Sequence, residues 1–128
     1  MKIFKTIMIL SFLYYVGTGI LLCVDPNWIF RMLNLPDINH IWAVQFCGII
    51  TFLFGFIFLF AFYSPFKFVK IVYLGLIAQI LVPAFTFYLF TSGILPEQQA
   101  IPFMIVDILF AIVIFYAISS LKNVKINY

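Results

Sequence analysis

The sequence predicts an all-α fold, a four-helix transmembrane bundle with a short interfacial helix between spans one and two. Three observations carry that prediction. The 128 residues are 66% apolar and only 9% charged, against about a quarter charged in ordinary soluble chains. Four apolar stretches reach the roughly 20 residues that a helix needs to cross a hydrocarbon core about 30 Å thick. All six lysines lie outside those stretches, on one side of a four-span arrangement.

The first span covers residues 6–24 and follows Lys2 and Lys5. A basic pair before an apolar run also opens a secretory signal. This run, at about 19 residues, exceeds the usual 7–15, and no A-x-A-like cleavage site follows it, so it reads as a retained span. Asp25-Pro26 then reads as an N-cap and first helical position, because the carboxylate can accept orphan N–H groups and proline has none to lose. From Pro26 to Leu33, apolar Ile29, Phe30, Met32 and Leu33 alternate with Asn27, Arg31 and Asn34. That pattern suits a short helix lying in the membrane interface with Trp28 at headgroup level. Leu35-Pro36-Asp37 ends it, and Asp37 is placed to cap the next span.

The second span runs over 41–63, and Ser64-Pro65-Phe66-Lys67 turns the chain tightly into the third, at 71–92. Thr91-Ser92-Gly93-Ile94-Leu95-Pro96 is a second turn, and the fourth span, 100–121, is interrupted only by Asp107. So little chain is left for loops that residues 1–128 read as one bundle without a soluble domain or linker. Cys23 and Cys47 form no C-x-x-C pair and fall about 10 Å apart in depth, too far for a disulfide.

Charge sets the orientation. Lys2, Lys5, Lys67, Lys70, Lys122 and Lys125 share one side, while Asp25, Asp37, Glu97 and a single Arg31 hold the other. The positive-inside rule makes the lysine side, and with it both termini, cytoplasmic. The location that follows is the bacterial inner (cytoplasmic) membrane, crossed several times. The net charge of +3 is therefore a topology signal, and no nucleic-acid partner is expected.

Asp107 is the one ionisable group inside the four stretches apart from tyrosine and cysteine. A carboxylate at the bilayer centre costs about 2.5–3.5 kcal/mol on insertion scales, and such residues face a bundle interior or a wet cavity. Asp107 lies about 10 Å below the outer boundary, bracketed by the other polar residues of the spans: Gln45 at about 6–8 Å, Thr18 and Thr86 at about 9 Å, and Gln79 at about 20 Å. Helical spacing also puts them on coherent faces. Gln45, Gly48, Phe52 and Gly55 line up on span two, and Gly75, Gln79 and Thr86 on span three. Ser11, Tyr15 and Thr18 line up on span one, and Met104, Asp107 and Ala111 on span four. The expected site is an outward-facing polar pocket with Asp107 at its base, Gln79 and Gln45 beside it, Thr18 above, and Tyr15 and Trp42 as aromatic walls. Gly48, Gly55 and Gly75 are read as helix-contact residues, since small side chains let helices approach closely.

Gln45-x-x-Gly48, Gly55, Ser64-Pro65, Gly75-x-x-x-Gln79-x-x-x-Pro83, Gly93-Ile94-Leu95-Pro96 and Asp107 together resemble the DoxX-like family of small four-span bacterial membrane proteins, over roughly residues 28–115. The resemblance implies the same bundle. Members of that family typically carry a lysine at the place of Gln79 and an Asn-Asp pair, with Trp following, where this chain has Val106-Asp107 and Phe110. A Lys–Asp partnership is therefore absent here.

The chain has no nucleophile–base pair, metal-ligand cluster, phosphate loop or dinucleotide fingerprint. It is read first as an accessory or ligand-binding bundle without turnover of its own, with no metal and no cofactor. Its expected partners are the lipid bilayer and a hydrophobic small molecule or a partner membrane protein. Two alternatives remain open. One is a membrane enzyme on a lipid-like or quinone-like substrate with Asp107 as acid/base and Tyr15 or Gln79 as helper. The other is a proton-coupled small-molecule exporter, which needs access from both sides although the inner half of the spans is almost wholly apolar.

Overall fold

The computed structural model describes residues 1–32, 34, 40–94 and 97–125, with side chains for all of these except Ile29, Gln98, Gln99, Phe103 and residues 122–125. Leu33, the Leu35-Pro36-Asp37 stretch with its expected cap, and Leu95-Pro96 lie outside the described residues. Helices hold about 91% of the described residues, and no strand is among them. They are α1 (Lys2–Val24), α2 (Trp28–Met32), α3 (Ile41–Tyr63), α4 (Pro65–Thr91) and α5 (Glu97–Lys125). Four of them, α1, α3, α4 and the Ala100–Leu121 part of α5, are long and apolar enough to cross a membrane. Sequences this rich in Phe, Ile and Val form long helices because hydrocarbon offers backbone N–H and C=O groups no partner outside their own helix.

The ends follow local chemistry. Ser64 alone separates α3 from α4. Its N–H bonds the Phe60 carbonyl at 3.0 Å and its own carbonyl accepts the Phe68 N–H at 3.1 Å. Pro65 occupies the first turn of α4, where a missing N–H is harmless, so α4 starts at Pro65 rather than at Ile71. At the other end of α4, Gly93 takes φ +72°. There the Gly93 N–H bonds Phe90 and the Ile94 N–H bonds Leu89, both at 3.0 Å. This is a Schellman closure, which favours glycine at its left-handed position.

The connection after α1 differs in detail from the expectation. The Asp25 carboxylate forms an ion pair with Arg31, and the Asp25 backbone carbonyl accepts the Trp28 N–H at 3.1 Å. A guanidinium within reach is a stronger partner for a carboxylate than a neutral N–H. Pro26 and Asn27 form a turn, so α2 starts at Trp28 rather than at Pro26. Asn34 follows it at φ 54°, a conformation that Asn tolerates at a helix end.

The four long helices form a ring in the order α1, α3, α4, α5, with α5 returning to α1. The α1–α3 seam is the tightest. A Cβ built on Gly19 would stand 2.5 Å from the Phe52 backbone nitrogen, and one on Gly48 would stand 2.9 Å from Leu22 Cβ. A Cβ on Gly55 would stand 3.0 Å from Val16 Cγ2, and one on Gly75, on α4, 3.2 Å from the Phe58 ring. Gly48, Gly55 and Gly75 are thus helix-contact residues, as their spacing suggested. Gly19, which the sequence did not single out, is the closest of all.

The apolar core lies toward the lysine-bearing end, where Phe4, Met8, Phe58, Val72, Ile114 and Leu121 are buried together. The start of α1 meets the end of α3 there, with the Lys5 ammonium 5.5 Å from the Phe62 ring centre. Outside the ring, large side chains such as Leu13, Phe46, Leu81 and Phe115 are exposed along the helices. Apolar surface on that scale fits lipid and not water. The chain is a small multi-pass membrane protein.

Candidate functional site

Gln79 is a buried polar side chain at the centre of the ring, 7% exposed. It sits on the inward face of α4 with Val72, Gly75 and Pro83. In the amide orientation that satisfies its neighbours, its Nε2 donates to Asp107 Oδ1 at 3.0 Å and to the Asp107 backbone carbonyl at 3.2 Å. Its Oε1 accepts the hydroxyl of Tyr15. A neutral amide suits this position because it donates and accepts at once, and lipid would supply neither partner. Three helices, α1, α4 and α5, are therefore joined through one side chain. Among the described residues, no buried side-chain nitrogen or oxygen lacks a partner.

Tyr15 is held by rings on every side that its hydroxyl does not use. It stacks on Phe58 at 5.1 Å between centroids, and Phe54 at 5.6 Å and Phe110 at 5.9 Å meet it edge to face. Tyr14, its neighbour in sequence, stacks on Phe110 at 4.2 Å. Such aromatic pairs contribute about 0.5–1.5 kcal/mol beyond the area they bury. They fix the direction in which the Tyr15 hydroxyl points. Sequence reasoning did not place Phe54, Phe58 and Phe110 in this box. The signal was there in Phe110, one turn from Asp107, and in the Phe54–Phe58 step of four along α3.

The structure thus brings together Tyr15, Gln79 and Asp107, and distributes the other expected members elsewhere. Gln45 belongs to the α1–α3 seam. Its Nε2 donates to the Cys23 carbonyl at 3.1 Å, and the Cys23 thiol in turn reaches the Gln45 carbonyl at 3.6 Å. Cys23 lies in the last turn of α1, whose carbonyls have no intrahelical donor, so Gln45 caps a helix end. Thr18 lies one turn from Tyr14 on α1. Trp42 is 72% exposed and stands on the outside of the bundle, where it cannot wall the cluster. Thr86 bonds back to the Val82 carbonyl of its own helix at 2.9 Å. Both cysteines are free. Among the described residues no group of His, Cys, Asp and Glu could hold a metal ion.

Beside the cluster, a groove of about 390 Å³ runs between α4 and α5. Gln79 and Pro83 line it from α4, and Met104, Ile108 and Ala111 from α5. Exposed Ile80, Phe87, Ile108 and Ile112 border it, so it opens sideways toward lipid, and Asp107 lies behind Gln79 rather than on its wall. Gln79 is the one polar side chain among the lining residues. A second groove of about 250 Å³, between α1 and α5, is lined by Ser11 and Phe110 among apolar neighbours.

No family model matches this chain, and no curated protein or solved structure is significantly similar to it.

Proposed function

We propose that this protein is an accessory or ligand-binding bundle that takes a hydrophobic small molecule from the bilayer into the α4–α5 groove. The observation that carries this reading is the pairing of an apolar, lipid-facing groove with a single polar side chain, Gln79, whose direction is fixed from behind by Tyr15 and Asp107. Ligand sites have this form: mostly apolar walls of about 300–1,000 Å³ and few, well-placed polar groups. Asp107 acts here as a positioning residue, and no turnover is assigned to it. The proposal includes the resemblance to DoxX-like proteins, the bacterial inner membrane and cytoplasmic termini. The clustering of lysines at the start of α1, the start of α4 and the end of α5 supports that orientation.

Mass spectrometry of lipids and small molecules that co-purify with the protein tests the reading. We expect a specific molecule with wild type that is lost from Ala84→Trp, which fills the groove, and reduced in Asp107→Leu, which removes the acceptor that holds Gln79. Identical profiles for all three proteins would overturn it.

A further inference from the structure

The hydrogen-bonding capacity left in the α4–α5 groove is one-sided. The Gln79 Nε2 donates to Asp107 at both its carboxylate and its backbone carbonyl. The Gln79 Oε1 accepts from Tyr15 and keeps a second lone pair, since an amide oxygen has two. A further acceptor lies on the backbone. Pro83 is inside α4 and has no N–H, so the Gln79 carbonyl, four residues earlier, lacks its ordinary helical donor. Gln79 and Pro83 are both lining residues of the groove. The remaining lining side chains are Ile, Ala, Phe and Met, with no N–H or O–H among them. The groove therefore offers acceptors and no free donor.

Resting on the ligand-binding reading above, we infer that the α4–α5 groove selects an apolar alcohol, a hydrocarbon body carrying one free hydroxyl that donates to the Gln79 backbone carbonyl. An ether, ester or ketone of the same shape brings only acceptors and would set oxygen against oxygen in hydrocarbon. A hydrocarbon brings nothing and leaves the carbonyl unmet. At about 390 Å³ the groove is at the small end of ligand sites, so it suits one alkyl chain or a small ring system and not a whole phospholipid. The discrimination follows the general rule that a site built to pair a hydroxyl rejects analogues lacking the donor, because its own polar group is left unpaired.

The test is competition for labelling of the full-length protein in lipid nanodiscs by a diazirine-bearing dodecanol, with crosslinked peptides mapped by mass spectrometry. Unlabelled dodecanol, dodecyl methyl ether and dodecane serve as competitors. We expect labelling on α4 and α5 that Ala84→Trp abolishes. Dodecanol should compete at least ten-fold better than the ether or the alkane. Pro83→Ala gives the Gln79 carbonyl its helical donor back and should shrink that preference at least three-fold. Equal competition by alcohol and ether, or a preference unchanged in Pro83→Ala, would overturn the alcohol assignment while leaving the groove as a binding site. Labelling that ignores Ala84→Trp would remove the groove reading itself, and this inference with it.

Discussion

Tyr15 on α1 donates its hydroxyl to Gln79 on α4, across the diagonal of the helix ring. The α1–α3 pair of that ring meets along a glycine-lined seam, and this bond ties it to the α4–α5 pair. With the Gln79–Asp107 contact at 3.0 Å, it makes one buried polar chain from α1 to α5. Such a chain specifies which helices face the centre, because any rotation of α4 strands a hydroxyl and a carboxyl group in hydrocarbon.

Replacing Gln79 with Leu should therefore destabilise the bundle. The variant leaves the Tyr15 hydroxyl and the Asp107 side chain without their partner, and each unmade buried hydrogen bond costs about 1–3 kcal/mol. Reversible unfolding in mixed detergent, followed by circular dichroism, measures the loss. A double-mutant cycle with Tyr15→Phe should give a coupling near the membrane-protein average of about 0.6 kcal/mol, with about 1.7 as the upper end. Zero coupling would mean that the two side chains do not bond.

The α1–α3 seam predicts opposite outcomes for two glycines two residues apart. A Cβ on Gly19 would lie 2.5 Å from the Phe52 nitrogen, whereas one on Gly17 meets nothing within 4 Å. Gly19→Ala forces backbones apart and should cost about 1–3 kcal/mol, as overpacking does. Gly17→Ala should be neutral or stabilise by about 0.5–1 kcal/mol, because glycine is a poor residue inside a helix. The same unfolding assay reads both, and equal effects would contradict the close approach at Phe52.

Both termini should be cytoplasmic. With Cys23 and Cys47 replaced by Ser, cysteines introduced at Ser120, near the end of α5, and at Ser92, just after α4, report opposite sides. An impermeant maleimide applied to intact cells should label the Ser92 position and spare the Ser120 position. The reverse pattern would invert the assignment.

The sequence made the four spans legible because hydrocarbon imposes length and composition so strictly. Span two matched α3 residue for residue, and Lys2, Pro65 and Glu97 extended the others into polar chain that hydropathy does not reach. Gln79 was the first partner the sequence offered for Asp107, since each is an isolated polar residue of its span and an amide can both donate and accept, although the rise per residue put Gln79 about 10 Å deeper. Gln45 was placed closer to the depth of Asp107, at about 6–8 Å, but depth does not give azimuth. The seam set by Gly19, Gly48 and Gly55 turns Gln45 toward the end of α1, where the Cys23 carbonyl needs a donor more than Asp107 does. Trp42 and Tyr15 looked alike as aromatic walls, yet one faces lipid and the other is buried among Phe54, Phe58 and Phe110. The groove was not legible, because it depends on how far α4 and α5 stand apart around Pro83, and no sequence period encodes that distance.

Asp107 should tolerate Asn for folding and not Leu. The Asn side chain keeps an oxygen where Gln79 Nε2 needs an acceptor, and it removes a carboxyl group that the membrane penalises whenever it is charged. Its stability should stay within about 1 kcal/mol of wild type, the net value of a typical hydrogen bond. Asp107→Leu removes the 3.0 Å acceptor, leaving Gln79 only the backbone carbonyl at 3.2 Å, and should cost about 1–3 kcal/mol. Measured side by side in one detergent, the three proteins separate two demands on position 107. An Asn variant as stable as wild type, with the Leu variant clearly weaker, means that the fold needs an acceptor there. An Asn variant that unfolds as readily as the Leu variant would mean that the fold requires the carboxyl group itself, and Asp107 could then no longer be described as positioning Gln79 through a simple hydrogen bond.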